Sequence, residues 1–148
     1  MKAIDVTTEI LISAALSGVA EFSCDPGNAP LWYVNIKSVD WRTPKPLQPG
    51  SLIAFSAKFL GKPLSYVYEI AEWIPNKKLV MRTADGPFPM ETTYIWQSLD
   101  EYTTRMTLRN RGTPSGFSKL LAPFLSFMIK KANQKDLKRL KEILEKND

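Results

Sequence analysis

Hydrophobic and polar positions alternate through most of the chain and fall into helical spacing only near its start and along its end. Over residues 3–12, Ile4, Val6, Thr8, Ile10 and Ile12 recur at period two with Asp5 and Glu9 between them, which predicts a half-buried first strand. From Ser13 the period lengthens. Leu16, Val19, Ala20 and Phe22 fit a short helix that Asp25-Pro26-Gly27 stops, and Asn28 is placed to cap a second short helical piece reaching Trp32 and Tyr33.

Six further strands are predicted over residues 34–42, 51–60, 64–74, 78–83, 90–99 and 102–111. Pro44, Pro46 and Pro49 fall between the first two, where they interrupt no ladder, and Gly61-Lys62-Pro63 marks a hairpin. Pro75-Asn76, the segment Asp85-Gly86-Pro87-Phe88-Pro89 and Asp100-Glu101 make the remaining turns. The order predicts an antiparallel meander with the first strand added at an edge.

Residues 114–146 return to helical spacing. Pro123 either kinks this helix or restarts it at a first-turn position, where its missing N–H costs nothing. Residues 123–146 alone would run roughly 36 Å at 1.5 Å per residue, enough to cross a sheet. Phe117, Leu121, Phe124 and Met128 form one apolar stripe, expected to face the sheet. Leu125, Ile129 and Ala132 form a second stripe that has no evident cover and leads toward Lys131, Lys135 and Lys138.

The composition narrows the chemistry. At 148 residues, 44% hydrophobic and 24% charged, the chain suits one soluble globular domain over residues 1–148, with no internal repeat or linker. It contains no histidine, which removes the usual general base, the usual zinc ligand and the centre of a Ser-His-Asp triad. No metal site and no cofactor is expected. The lone Cys24 excludes an internal disulfide, reads as a structural thiol and suits a reducing compartment, so a cytoplasmic location is expected. The run Ile10 to Ala20 is not read as a secretory signal, because Asp5 and Glu9 stand where such a signal is positive.

Several local stretches resemble one superfamily. Ile12-Ser13-Ala14 through Val19, Phe22 and Asp25-Pro26 is similar to the strand-to-helix entry of START/Bet v 1-like (SRPBCC) proteins. Asn28, Pro30 and Trp32 follow as in their polyketide cyclase/dehydrase-like branch. Tyr68-Glu69-Ile70 with Glu72 and Pro75, then Gly86 to Pro89, Thr93-Tyr94, Asp136-Leu137, Leu140-Lys141 and Leu144-Glu145 resemble later parts of that branch. Ala20 departs from a frequent tryptophan, and Thr103-Thr104-Arg105 lacks the usual preceding glycine. The resemblance implies an α+β helix-grip fold. In it a curved antiparallel sheet of about seven strands wraps a long C-terminal helix, with two short helices after the first strand and an apolar cavity between.

With one face of the sheet turned to that helix, alternation assigns Ile53, Phe55, Ala57 and Phe59 inward, then Leu64, Tyr66, Tyr68 and Ile70, then Met90, Thr92, Tyr94 and Trp96, then Thr104, Met106 and Leu108. Three tyrosines and a tryptophan on such a face suit a cavity, because their polar ends need partners. The candidate ligand-binding residues are Phe55, Phe59, Tyr66, Tyr68, Met90, Thr92, Tyr94, Trp96 and Met106 from the sheet, with Phe117, Leu121, Phe124 and Met128 from the helix.

The expected function is binding or transport of a small hydrophobic molecule, such as a lipid, an isoprenoid or an aromatic polyketide-like compound. A cyclase or dehydratase using a tyrosine or Glu72 to move a proton, and a protein-interaction helper domain, are the alternatives. Catalytic residues are not identifiable, and a noncatalytic binder is favoured over an enzyme. Eight Lys/Arg against four Asp/Glu from Lys119 onward place +4 of the net +5 in the last segment. The aromatics do not interleave with this basic run, so nucleic acid is not expected as a partner. The uncovered stripe leaves open a ligand portal, a transient contact with anionic membrane and a homodimer contact.

Overall fold

The computed structural model describes residues 4–59, 61–86, 89–113 and 120–146. Seven strands form one antiparallel sheet: β1 (Ile4–Ile12), β2 (Ile36–Trp41), β3 (Leu52–Phe59), β4 (Lys62–Ile74), β5 (Lys78–Asp85), β6 (Met90–Asp100) and β7 (Thr103–Gly112). Their spatial order is β1-β7-β6-β5-β4-β3-β2, so the six later strands run as a meander and the first closes one edge against the last. Two short helices, α1 (Leu16–Cys24) and α2 (Ala29–Trp32), follow β1, and α3 (Ala122–Lys146) crosses the concave face. This is the helix-grip architecture anticipated above.

Alternation sets the strand faces. On β1, Ile4, Val6, Thr8 and Ile12 are buried while Asp5, Thr7 and Glu9 are exposed; on β7, Thr104, Met106, Leu108 and Asn110 are buried. The ladder of β4 with β5 slips at Val67/Tyr68 and again at Ile70/Glu72. Extra residues of this kind raise local twist and bend a strand, which suits a sheet that must curl around a helix.

One local expectation is corrected. Asn28 does not cap α2; its side-chain amide donates to the Phe22 carbonyl at 3.1 Å. The capping carboxylate is that of Asp25, which accepts from the Gly27 N–H at 2.9 Å and holds the single 3-10 turn Pro26–Asn28 between the two helices. Pro123 is the second residue of α3, so of the two outcomes expected of it, a kink or a fresh helix start, the structure shows the start.

The larger of the two buried apolar clusters lies under the second half of α3. Leu137, Leu140 and Leu144 pack with Ile12, Trp96 and Met106. The end of the helix is latched to the end of β1: Glu145 accepts the Ser13 N–H at 2.8 Å and pairs with Lys141, whose ammonium donates to the Leu11 carbonyl at 3.0 Å. No helix among the described residues is long and apolar enough to cross a membrane.

Candidate functional site

The first half of α3 does not lie on solid core. Between it and β3–β4 is a cavity of about 280 Å³. Its helical side is Leu125, Ile129, Ala132, Asn133 and Asp136; its sheet side is Ala57, Phe59, Leu64, Tyr66, Tyr68, Thr83, Met90 and Asn110; Tyr33, Asn35 and Ile36 close the end beside α2. Gly86 makes one wall possible, because a Cβ there would stand 3.2 Å from Tyr66 Cβ and 3.0 Å from Thr83 Cγ2.

The hydroxyls around this space are largely committed to one another. Thr92 Oγ1 donates to Asn110 Oδ1 at 2.8 Å, so the Tyr68 hydroxyl, 3.1 Å away, donates to Thr92. Tyr33 and Tyr94 share a hydrogen bond of 2.5 Å between their hydroxyls. Burial pushes the phenols of Tyr33, Tyr66, Tyr68 and Tyr94 upward, which keeps them protonated at neutral pH and unsuited to act as bases.

Two polar groups on α3 stand apart from that network. Asn133 is 5% exposed, and its amide nitrogen has no hydrogen-bond partner among the described residues. Asp136 is 2% exposed and accepts the Val34 N–H at 2.9 Å through Oδ1. Burial raises its carboxyl to about 6, against the smaller opposing pulls of the Val34 N–H and the Arg139 guanidinium. It is the cavity group whose charge changes nearest neutrality.

The structure separates the candidate residues. Phe59, Tyr66, Tyr68 and Met90 line the cavity. Phe55 stands behind the wall, stacked on Tyr66 with ring centroids 5.3 Å apart, while Thr92 and Tyr94 anchor the hydroxyls of Tyr68 and Tyr33 from the buried side. Trp96 and Met106 belong to the solid core, where the Trp96 ring N–H donates to Ser23 Oγ at 2.9 Å. Glu72 is not a cavity group; it pairs with Lys78 at 3.2 Å. Cys24 lies off the lining, and burial, with Asp25 and Glu21 beside it, pushes its thiol up to about 11.

The helix stripes are the reverse of expectation. Leu121 and Phe124 are 40% and 51% exposed, and Met128 is half-buried off the cavity lining, whereas Leu125, Ile129 and Ala132 face inward. Phe117 lies outside the described residues. The orientation is set by the second half of the helix. Running the buried face of Leu140 and Leu144 backward in steps of three and four reaches Leu137, Asp136, Asn133 and Ile129. That backward step is the signal that would have found Asn133 and Asp136, because two polar members interrupt the apolar stripe they belong to. Among the described residues, no group of three or more Cys, Asp or Glu side chains converges to hold a metal ion.

A family model described as "Polyketide cyclase / dehydrase and lipid transport" matches residues 3–145. No curated protein matches the sequence. Among solved structures, a protein of Thermus thermophilus superposes with a TM-score of 0.83 at 19% identity, covering 97% of this chain and 99% of its own. The Zhui aromatase/cyclase of a Streptomyces species gives 0.82 at 14% identity, over 97% and 94%. A START superfamily protein of Mycobacterium smegmatis gives 0.82 at 13% identity, over 97% and 99%. Likeness at these identities is a likeness of fold.

Proposed function

Because the chain belongs to the polyketide cyclase/dehydrase and lipid transport family, we propose that it binds one small, mainly apolar molecule in the cavity under the first half of α3. The observation that carries this reading is the division of the helix: Leu137, Leu140 and Leu144 sit on packed core, while Leu125, Ile129 and Ala132 roof a space of about 280 Å³. That volume falls just below the ~300–1,000 Å³ range of ligand pockets, which favours a compact ligand over a long-chain lipid. Burying roughly 200 Å² of apolar ligand at ~25 cal/mol per Å² contributes about 5 kcal/mol. That is equivalent to a dissociation constant of roughly 0.2 mM before the cost of association is subtracted, so tighter binding has to come from polar anchors.

Titration with N-phenyl-1-naphthylamine, an uncharged apolar fluorophore, tests the reading. Saturable one-to-one enhancement is the expected result, and a linear, nonsaturating response argues against an internal site.

Acid-base chemistry on the bound molecule is the second reading, and the Asp136 carboxyl, raised to about 6, is the observation that favours it. The tyrosines are too weakly acidic for that role and Glu72 is outside the cavity.

We propose in addition that the outer face of α3 meets an anionic membrane surface when ligand is exchanged. Phe124 and Phe127 are 51% and 63% exposed on one stripe of α3, which continues into the exposed Lys131, Lys135 and Lys138, and Leu120, just ahead of the helix, is 78% exposed. Apolar side chains followed by a basic ridge are complementary to an anionic headgroup layer over hydrocarbon.

A further inference from the structure

Resting on the ligand-binding reading above, we propose that the cavity takes a compact apolar amine, whose ammonium group pairs with the Asp136 carboxylate. Asp136 lines the cavity and is 2% exposed. Its Oδ1 accepts the Val34 N–H at 2.9 Å, and Oδ2 has no donor among the described residues. Among those residues, only Trp32 Nε1 and Asn133 Nδ2 are both unpartnered and closed off from open space. Oδ2 is therefore unpartnered but not closed off, and the space it can reach is the cavity.

The charges around the cavity decide what enters. None of its described lining residues is a lysine or arginine, so Asp136 is the one side chain among them that is charged at neutral pH. It makes no ion pair among the described residues, and the exposed Arg139, three residues along α3, lowers its carboxyl less than burial raises it. Buried charges in folded proteins are paired, so an unpaired one at a cavity wall points to a cation supplied from outside. Tyr33, Phe59, Tyr66 and Tyr68 bring four aromatic rings into the same lining, and the π face of such a ring attracts an ammonium as well.

Other occupants fit less well. From its own helix Asp136 feels Arg139, and from the elements packed against it the titratable groups facing it are the hydroxyls of Tyr33, Tyr66 and Tyr94, all held protonated. With its carboxyl near 6, Asp136 is predominantly ionised at pH 7.5. An incoming carboxylate would then meet a like charge in a low-dielectric space. Calcium takes about six to eight oxygens, and no group of three or more Cys, Asp or Glu side chains converges among the described residues. An alcohol can donate to Oδ2 but leaves the charge uncompensated, whereas an ammonium makes a hydrogen bond charged on both sides.

Calorimetric titration of the full chain with 2-phenylethylamine, 2-phenylethanol and 3-phenylpropanoate separates the terms, since the three share one apolar body. At pH 7.5 the amine is expected to bind about tenfold or more tighter than the alcohol, equivalent to ~1.4 kcal/mol, with the carboxylate the weakest. Asp136→Asn keeps an acceptor for Val34 and removes the charge, so the amine should lose its advantage over the alcohol there. In the parent, moving from pH 7.5 to 5 protonates the carboxyl and should weaken the amine about tenfold while the alcohol changes little. That second arm needs no variant to fold. Equal affinities for amine and alcohol in the parent at pH 7.5, or an amine preference that survives in full either Asp136→Asn or pH 5, overturn the pairing and leave the apolar cavity standing. Binding of none overturns the cavity reading, and the pairing falls with it.

Discussion

The hydroxyls of Tyr33 and Tyr94 meet at 2.5 Å and so tie the turn after α2 to the middle of β6. Tyr94 is 4% exposed, which leaves its hydroxyl dependent on that partner. Tyr33→Phe or Tyr94→Phe should each cost about 1–2 kcal/mol in urea unfolding, because either one strands a buried hydroxyl. The double variant removes both polar groups together, so it should cost about as much as one single variant. Additive losses would mean that each hydroxyl is satisfied independently of the other.

Asp136 gives stability an inverted pH dependence. Its folded pKa of about 6 lies above the ordinary carboxylate value of 3.8, so between the two the folded chain holds more proton than the unfolded one. The contribution of this group is full below about pH 4 and is lost as pH rises through the folded value. Asp136→Asn keeps the Val34 hydrogen bond and removes the ionisation. Its stability relative to the parent should therefore grow between about pH 4 and pH 7, by on the order of 2 kcal/mol. Paired denaturation curves across that range check this, and a flat difference would place the carboxyl in an ordinary solvated setting.

The sheet is readable in the sequence because its inner and outer residues alternate without ambiguity. Ile53, Phe55 and Ala57 against Ser56 and Lys58, or Tyr94 and Trp96 against Gln97, leave one register that buries the apolar set. Alternation does not say which inward residues reach a cavity and which meet packed side chains. Trp96 and Tyr66 share the same inward face, yet the C-terminal half of α3 fills the space over one and leaves space over the other. The helix departs from expectation for a different reason. Apolar content alone favours the Phe124 stripe, while the face that turns inward includes Asn133 and Asp136, polar residues held at a cavity wall. Solvated apolar side chains and a buried carboxyl both run against the hydrophobic pattern, and both fall where a function is proposed.

Membrane contact by the outer face of α3 predicts co-sedimentation with vesicles that contain anionic lipid. Binding should weaken as salt rises and fall several-fold with Lys131→Glu combined with Lys135→Glu, at roughly 1 kcal/mol per basic residue near the surface. Phe124→Asp with Phe127→Asp should reduce binding without unfolding the chain, since both rings are already solvated. A mass that doubles with concentration and reverts to monomer in the same double aspartate variant would instead identify the stripe as a contact between two copies.

Native mass spectrometry of the freshly purified chain tests the central claim most directly. The cavity account predicts a population heavier than the polypeptide by one compact organic molecule, released on denaturation. It also predicts that the extra mass is missing from Ala132→Trp, whose indole would occupy the space that Ala132 now borders. A clean apo mass that stays clean after incubation with compact aromatic alcohols and amines, together with an unchanged spectrum for Ala132→Trp, would contradict it.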